Sequence, residues 1–242
     1  VKSLKPFFTY FGGKWRIAQH YPAPRHDIIV EPFAGSAGYS LRYPDRAVML
    51  CDKFADVVDT WKYLISVSEE EIRGLPDLRP EQSLDDFDLS REQRLLIGWW
   101  LNKGTASPCK SPSKWMRDLH GKPAASQFWG YKVRERIASQ LPAIRHWSVY
   151  LCDYSQIEDT TATWFIDPPY QGAGKDYKCS ARAIDFDNLG EWCRMRDGQV
   201  IVCENEGAAW LPFKTFRNVK ATHGAARSGR SAEVIWYKET EA

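Results

Sequence analysis

Asp167-Pro168-Pro169-Tyr170 is the stretch whose residue types could do chemistry most directly. It follows the apolar run Thr163–Ile166, so it reads as a turn at the end of a buried strand. A carboxylate beside a backbone carbonyl, on a turn stiffened by proline, can accept both hydrogens of a planar amino group. Such a group on C6 of adenine is a poor nucleophile, because its lone pair is delocalised into the ring. Accepting both hydrogens, one at Asp167 and one at the carbonyl of Pro168, draws the nitrogen toward a pyramid with its lone pair free to attack. Proline suits the position because it has no N–H and a locked φ. Tyr170 offers a flat face for a base taken out of its stack, worth about 1–3 kcal/mol where bases stack on aromatic side chains. Asp-Pro-Pro is also an ordinary turn, but further acids at neighbouring strand ends favour the chemical reading.

Those acids are Glu31, Asp52 and Asp153, each directly after an apolar run. Ligands of open parallel sheets bind at the carboxyl ends of the strands, so four acids at four such ends predict one shared site. Glu31-Pro32-Phe33-Ala34-Gly35-Ser36-Ala37-Gly38 is a glycine-bearing strand-to-helix turn that lets a nucleotide-like ligand approach the backbone. Asp52, about twenty residues on, stands where an acid binds ribose hydroxyls. This spacing suits NAD and S-adenosylmethionine equally; the Asp-Pro-Pro-Tyr turn tips the reading to the latter.

The elements that must position these residues are short apolar runs between turn residues: 28–30, 47–51, 149–152, 163–166 and 200–203. A late pair, around 213–219 and 233–237, predicts a closing hairpin. The fold class expected is α/β. The roughly ninety-five residues between the second and third runs exceed an ordinary crossover. They predict an inserted, mostly helical lobe over 55–146, interrupting a domain made of 1–54 and 147–242.

The average composition hides a charge asymmetry within that lobe. The chain of 242 residues carries a net charge of +2. From Asp56 to Asp88, however, ten acids face three bases, and from Arg91 to Arg136 ten bases face three acids. Phosphate backbones are attracted to the second block, where Lys110, Lys114, Arg117 and Lys122 are the expected contacts. Arg227 and Arg230, in a Gly/Ser-rich loop, are further candidates, and Tyr177 could help close a base pocket. The 11 Trp read mainly as core. The six cysteines form no C-x-x-C pair and read as reduced thiols, with no metal site implied. No histidine pairs with a Ser or Cys as a hydrolase would require. No apolar run reaches membrane-span length and the first residues lack a signal-peptide core, so a cytoplasmic protein without membrane contact is expected.

Taken together, these motifs resemble those of the DNA adenine-N6 methyltransferases of the alpha group, found in bacteria, phages and restriction–modification systems. Tyr10-Phe11-Gly12-Gly13-Lys14 is similar to their N-terminal cofactor motif, 31–38 to their glycine motif, and Asp52 to their ribose-binding acid. Asp153 resembles an acid near the cofactor adenine, and 167–170 their catalytic motif. The resemblance implies a Rossmann-like methyltransferase fold with a mixed seven-stranded sheet, S-adenosylmethionine as cofactor and S-adenosylhomocysteine as product. Expected cofactor contacts are Tyr10, Gly12, Gly13, Lys14, Glu31, Pro32, Phe33, Gly35, Ser36, Gly38, Asp52 and Asp153. Asp167, Pro168, Pro169 and Tyr170 are expected to be catalytic. Double-stranded DNA is the implied partner, with a cognate restriction endonuclease possible and a monomer or weak dimer as working unit. The chain departs from the family twice: its glycine motif reads F-x-G-x-x-G where many relatives have F-x-G-x-G, and Leu101-Asn102-Lys103 begins a recognition motif whose continuation is missing. Asn102 and Lys103 remain candidate DNA contacts, but GATC specificity does not transfer. RNA adenine, cytosine N4 or protein glutamine are alternative methyl acceptors, and a catalytically idle DNA-binding protein is the alternative of another class.

Overall fold

The computed structural model describes residues 3–102, 104–122, 128–172, 181–220 and 230–239, with backbone alone for 217–220 and 230–231. Its centre is a seven-stranded, mostly parallel sheet, ordered β3-β2-β1-β4-β5-β7-β6. The parallel part comprises β1 (Ile28–Glu31), β2 (Ala47–Asp52), β3 (Ser148–Leu151), β4 (Ala162–Ile166) and β5 (Gly198–Asn205). Central strands of such sheets are covered on both faces and read as unbroken apolar runs. All five residues of β4 are accordingly buried, whereas Tyr150 and Leu151 on the edge strand β3 are exposed. The expected late hairpin forms from β6 (Lys214–Lys220) and β7 (Arg230–Glu239). Its placement was not legible in the sequence: β7 inserts antiparallel between β5 and β6, pairing Glu204 with Val234 and Asn205 with Glu233. The mixed α/β architecture is compatible with a Rossmann-like fold.

Between β2 and β3 the chain forms α1 (Ala55–Ser66), α2 (Glu69–Gly74), α3 (Arg91–Leu101), α4 (Lys114–Asp118) and α5 (Tyr131–Gln140); α6 (Phe186–Met195) follows β4. Local chemistry sets several of these boundaries. Ser90 and Gln93 make a reciprocal capping box at the start of α3, and Asp185 caps α6 by accepting from the Asn188 N–H at 3.0 Å. Packing ties the segment to the sheet. α1 lies against β2 and β3, and one continuous core joins Trp61, Leu64, Leu96 and Trp99 with Ile29, Leu50, Phe165 and Ile201. Indole N–H groups serve as tethers within it: Trp61 donates to the Gly35 carbonyl at 2.9 Å and Trp100 to that of Phe7 at 2.9 Å. Most tryptophans are thus core, and Trp115 on α4 is the exception, with 49 % of its surface exposed.

The two charge blocks fold onto each other. Arg91 pairs with Asp56 and Asp59, Arg94 and Lys110 with Asp85, Arg134 with Asp77, and Arg73 with Glu69 and Glu135. Among the described residues Lys114, Arg117 and Lys122, all exposed around α4, make no ion pair. No described helix is long and apolar enough to cross a membrane. A shared core predicts shared unfolding. Leu96→Ala, a fully buried truncation in the segment between β2 and β3, is expected to cost about 2–5 kcal/mol. Far-UV circular dichroism and tryptophan fluorescence should still report a single transition, lowered as a whole; two separated transitions would mean that the segment unfolds by itself.

Candidate functional site

Four strand ends open into one cavity of about 290 Å³. Its lining brings together Glu31 and Asp52, the last residues of β1 and β2, with Asp153 after β3 and Asp167 after β4. Tyr10, Gly12, Gly13, Lys14, Phe33, Gly35, Ser36, Gly38 and Pro169 line it as well. Pro32, Pro168 and Tyr170 do not. Lys103, Tyr177 and Arg227 lie outside the described residues, and Arg230 opens β7. Asn102 caps the C-terminus of α3.

The glycine turn owes its shape to what packs on it. A Cβ on Gly38 would lie 2.6 Å from the Trp15 nitrogen and 3.0 Å from Lys14 backbone atoms, so the third glycine of F-x-G-x-x-G admits the N-terminal segment 12–15. That segment also ties the cavity rim to the helical region: the Phe11 N–H donates to the Thr105 carbonyl at 3.1 Å. The loop beyond is held on α3, where Cys109 donates to the Gly98 carbonyl at 3.1 Å and a Cβ on Gly98 would meet the Cys109 oxygen at 2.7 Å.

Each acid has a distinct environment. Glu31 is buried and accepts from the Ser40 N–H at 2.8 Å; burial pushes its carboxyl up to about 8 even though Ser40 pulls it back. Asp52 accepts from the N–H groups of Gly35 and Phe54, both at 2.9 Å, and burial raises it to about 6. Asp153 caps the turn Tyr154–Gln156 and pairs with Lys53 at 2.7 Å. Partial burial pushes it upward, but the hydrogen bonds from Lys53 and Ser155 prevail and hold it below its ordinary value. Asp167 keeps 18 % of its side chain exposed, with Oδ1 buried and 3.0 Å from the Lys14 ammonium. Its carboxyl is pushed up to about 6 by burial, with Lys14 opposing and Glu233 adding to the rise.

Lys14 is the positive centre of this arrangement. Its ammonium lies 3.0 Å from Asp167, 3.9 Å from Glu233 and 4.5 Å from the centroid of the Tyr170 ring. Tyr170 donates its hydroxyl to Glu233 at 3.1 Å, and so turns toward the interior. Glu204 at the end of β5 braces the same turn, accepting from the Gln171 N–H at 3.1 Å and the Trp210 indole at 3.2 Å.

Sequence reasoning missed Glu204 and Glu233, and also Tyr154, Ile184, Asp185 and Asn188, which complete the cavity wall. Tyr154 stacks obliquely on Phe33 with centroids 5.6 Å apart, making one side of the cavity aromatic. The carboxylate ending β5 was the one readable signal among these. The rest come from elements far along the chain or from polar turns with no periodicity.

No protein-family model and no curated protein matches this chain. The site therefore stands on its own chemistry: hydroxyl acceptors at Asp52 and Asp153, an aromatic and apolar wall at Phe33, Tyr154 and Ile184, and a buried carboxylate beside a proline-held carbonyl at 167–168. The first two features suit an adenosine moiety, and the last suits a planar amino group. Among the described residues no cluster of His, Cys, Asp and Glu could hold a metal ion.

The raised carboxyl of Glu31 has a testable sign. The folded chain holds that proton more tightly than the unfolded chain does, so stability is fully present below about pH 4.5 and falls as pH rises through about 8. Glu31→Gln retains an acceptor for Ser40 without the buried charge. Calorimetry at pH 8.5 should find its Tm above wild type by at least about 2 °C, with the gap closing near pH 4.5. A Tm below wild type at pH 8.5 would contradict the burial penalty.

Proposed function

We propose that this chain is an S-adenosylmethionine-dependent methyltransferase that methylates the N6 amino group of adenine in double-stranded DNA. One observation carries the reading: Asp167 and Pro169, of the Asp-Pro-Pro turn, line the same cavity as the glycine turn, Asp52 and Asp153. An amino-group binder and a nucleoside binder thereby share one space. The sheet order, with β7 antiparallel between β5 and β6, supports it by agreeing with the mixed seven-stranded sheet the resemblance implies.

The cavity residues fit the cofactor. Asp52 would accept the ribose hydroxyls with the lone pairs its two backbone bonds leave over, and Phe33, Tyr154 and Ile184 would enclose the adenine, with Asp153 nearby. The backbone around Tyr10, Gly12 and Gly13 would take the amino-acid end. When bound, S-adenosylmethionine supplies a methyl group made electrophilic by its sulfonium.

This chain's residues prepare the acceptor. Asp167 accepts one amino hydrogen of adenine and the Pro168 carbonyl the other, turning the lone pair outward. As nitrogen attacks, positive charge develops on it, and the neighbouring carboxylate stabilises that charge. The nitrogen then sheds its extra proton to water, leaving a neutral methylamino group. Asp167 does this only when ionised, so kcat should rise with pH through about 6.

The exposed cations Lys114, Arg117 and Lys122, with Trp115 among them, form the proposed phosphate-binding face, and Lys110 is discounted by its pairing with Asp85. Neutralising phosphates releases counterions, which makes affinity salt-dependent.

The deciding experiment is transfer of labelled methyl from S-adenosylmethionine to unmethylated duplex DNA, followed by nucleoside mass spectrometry, with RNA and protein as controls. N6-methyladenine is expected; label on RNA, cytosine or protein alone would replace the proposed acceptor. Asp167→Ala should lower kcat by at least about a thousandfold while cofactor affinity by calorimetry stays within about threefold. Retained turnover would remove Asp167 from its role. The triple variant Lys114→Ala, Arg117→Ala, Lys122→Ala should weaken duplex binding and flatten the slope of log affinity against log salt by about 2.7, at 0.9 per phosphate contact. An unchanged slope would place the DNA elsewhere.

A further inference from the structure

Glu233 is 3 % exposed on β7, a strand that contributes nothing to the motifs at the other strand ends. Three groups converge on its Oε1. Tyr170 donates a hydrogen bond at 3.1 Å, the Tyr21 hydroxyl donates a second, and the Lys14 ammonium stands 3.9 Å away. Tyr21 is itself wedged between Phe165 and Phe216, with ring centroids at 5.1 and 4.8 Å. Glu233 is therefore anchored on one side by the packed Tyr21 phenol and meets Tyr170 and Lys14 on the other. Those two, Tyr170 and Lys14, are the groups that flank Asp167.

We propose, resting on the methyl-transfer reading of this site, that Glu233 is a positioning residue: it holds the Tyr170 ring by its hydroxyl and gives Lys14 a second carboxylate. Both consequences bear on Asp167. A tyrosine ring swings about its Cα–Cβ and Cβ–Cγ bonds unless its hydroxyl is held, and Glu233 holds it against the interior. The Lys14 ammonium lies 3.0 Å from the buried Oδ1 of Asp167, the carboxylate an adenine amino group must reach. Without a second carboxylate beside it, that ammonium would compete with the base for Asp167. Glu233 provides a second acceptor, so Lys14 can yield Oδ1 without losing its counter-charge in a buried setting.

The charges around Asp167 give the effect a sign. Lys14 faces it from the N-terminal segment, Glu31 from β1, Cys203 and Glu204 from β5, Glu233 from β7, and Tyr21 and Tyr170 from the intervening packing. Burial pushes the two phenols, the thiol and the carboxyls of Glu31 and Glu204 upward, whereas on Asp167 itself Lys14 acts downward and Glu233 upward. Removing the charge of Glu233 takes away a repulsion and removes a second carboxylate competing for Lys14. Both changes favour the ionised carboxylate, so Asp167 should titrate at lower pH.

Glu233→Gln keeps an acceptor for the phenols and loses the charge, whereas Glu233→Leu loses both. Expected for Leu is a fall in kcat of about tenfold or more, as for a displaced positioning group, with cofactor KM little changed. Gln should recover most of that loss, while the acid limb of its kcat profile moves to lower pH. A second measurement needs no turnover: carboxylate ¹³C NMR of the ligand-free, full-length chain, with the Asp167 signal assigned through Asp167→Asn. A downward move of the Asp167 midpoint in Glu233→Gln supports the proposal. An unmoved or raised midpoint overturns it, as does wild-type kcat in a folded Glu233→Leu. Should the wild-type chain methylate no acceptor, the methyl-transfer reading falls, and the NMR midpoint still decides whether Glu233 sets the state of Asp167.

Discussion

The Lys14 ammonium sits among the buried carboxyls at the carboxyl edge of this sheet. Glu31, Asp167 and Glu233 are drawn into a largely buried space, and Lys14 is the cation facing two of them, at 3.0 and 3.9 Å. Isolated charges are costly to bury, and removing one partner of a buried pair typically costs about 3–5 kcal/mol. The placement of Lys14 is thus a condition for the rest. It requires residues 12–15 to lie across the glycine turn, which requires glycine at position 38. The turn in turn is held by Asp52 through the Gly35 N–H and by Trp61 through the Gly35 carbonyl.

This chain of dependence explains why the helical segment between β2 and β3 is not a passive appendage. α1 carries Trp61 to the glycine turn, and α3 carries Trp99, whose ring meets Tyr10 at 5.4 Å. The loop after α3 meets the cavity rim at Phe11 and Thr105. A group bound along α4 would accordingly be joined to the cavity by packed aromatic side chains and backbone hydrogen bonds.

Much of the fold was legible because its signals are local. Five apolar runs became the five parallel strands within a residue or two, and the late hairpin formed where turn residues and alternation placed it. The four strand-end acids were legible for the same reason: a parallel sheet aligns the carboxyl ends of its strands, so residues following the runs must converge. Tyr170 was legible as the residue closing the Asp-Pro-Pro segment, whereas its hydroxyl partner, 63 residues away, was not. The charge blocks were legible as blocks, and their mutual neutralisation was not.

The amino-acid sequence by itself determined the α/β class, the strand boundaries and the meeting of Glu31, Asp52, Asp153 and Asp167, because each follows from hydrophobic runs and strand polarity. The tertiary structure alone decided the position of β7, the arrival of Glu233 beneath Tyr170 and Lys14, and which cations of the basic block stay free of acidic partners. Those outcomes depend on pairings across long stretches of chain, where side-chain chemistry permits many partners and only closure of one shared core selects among them.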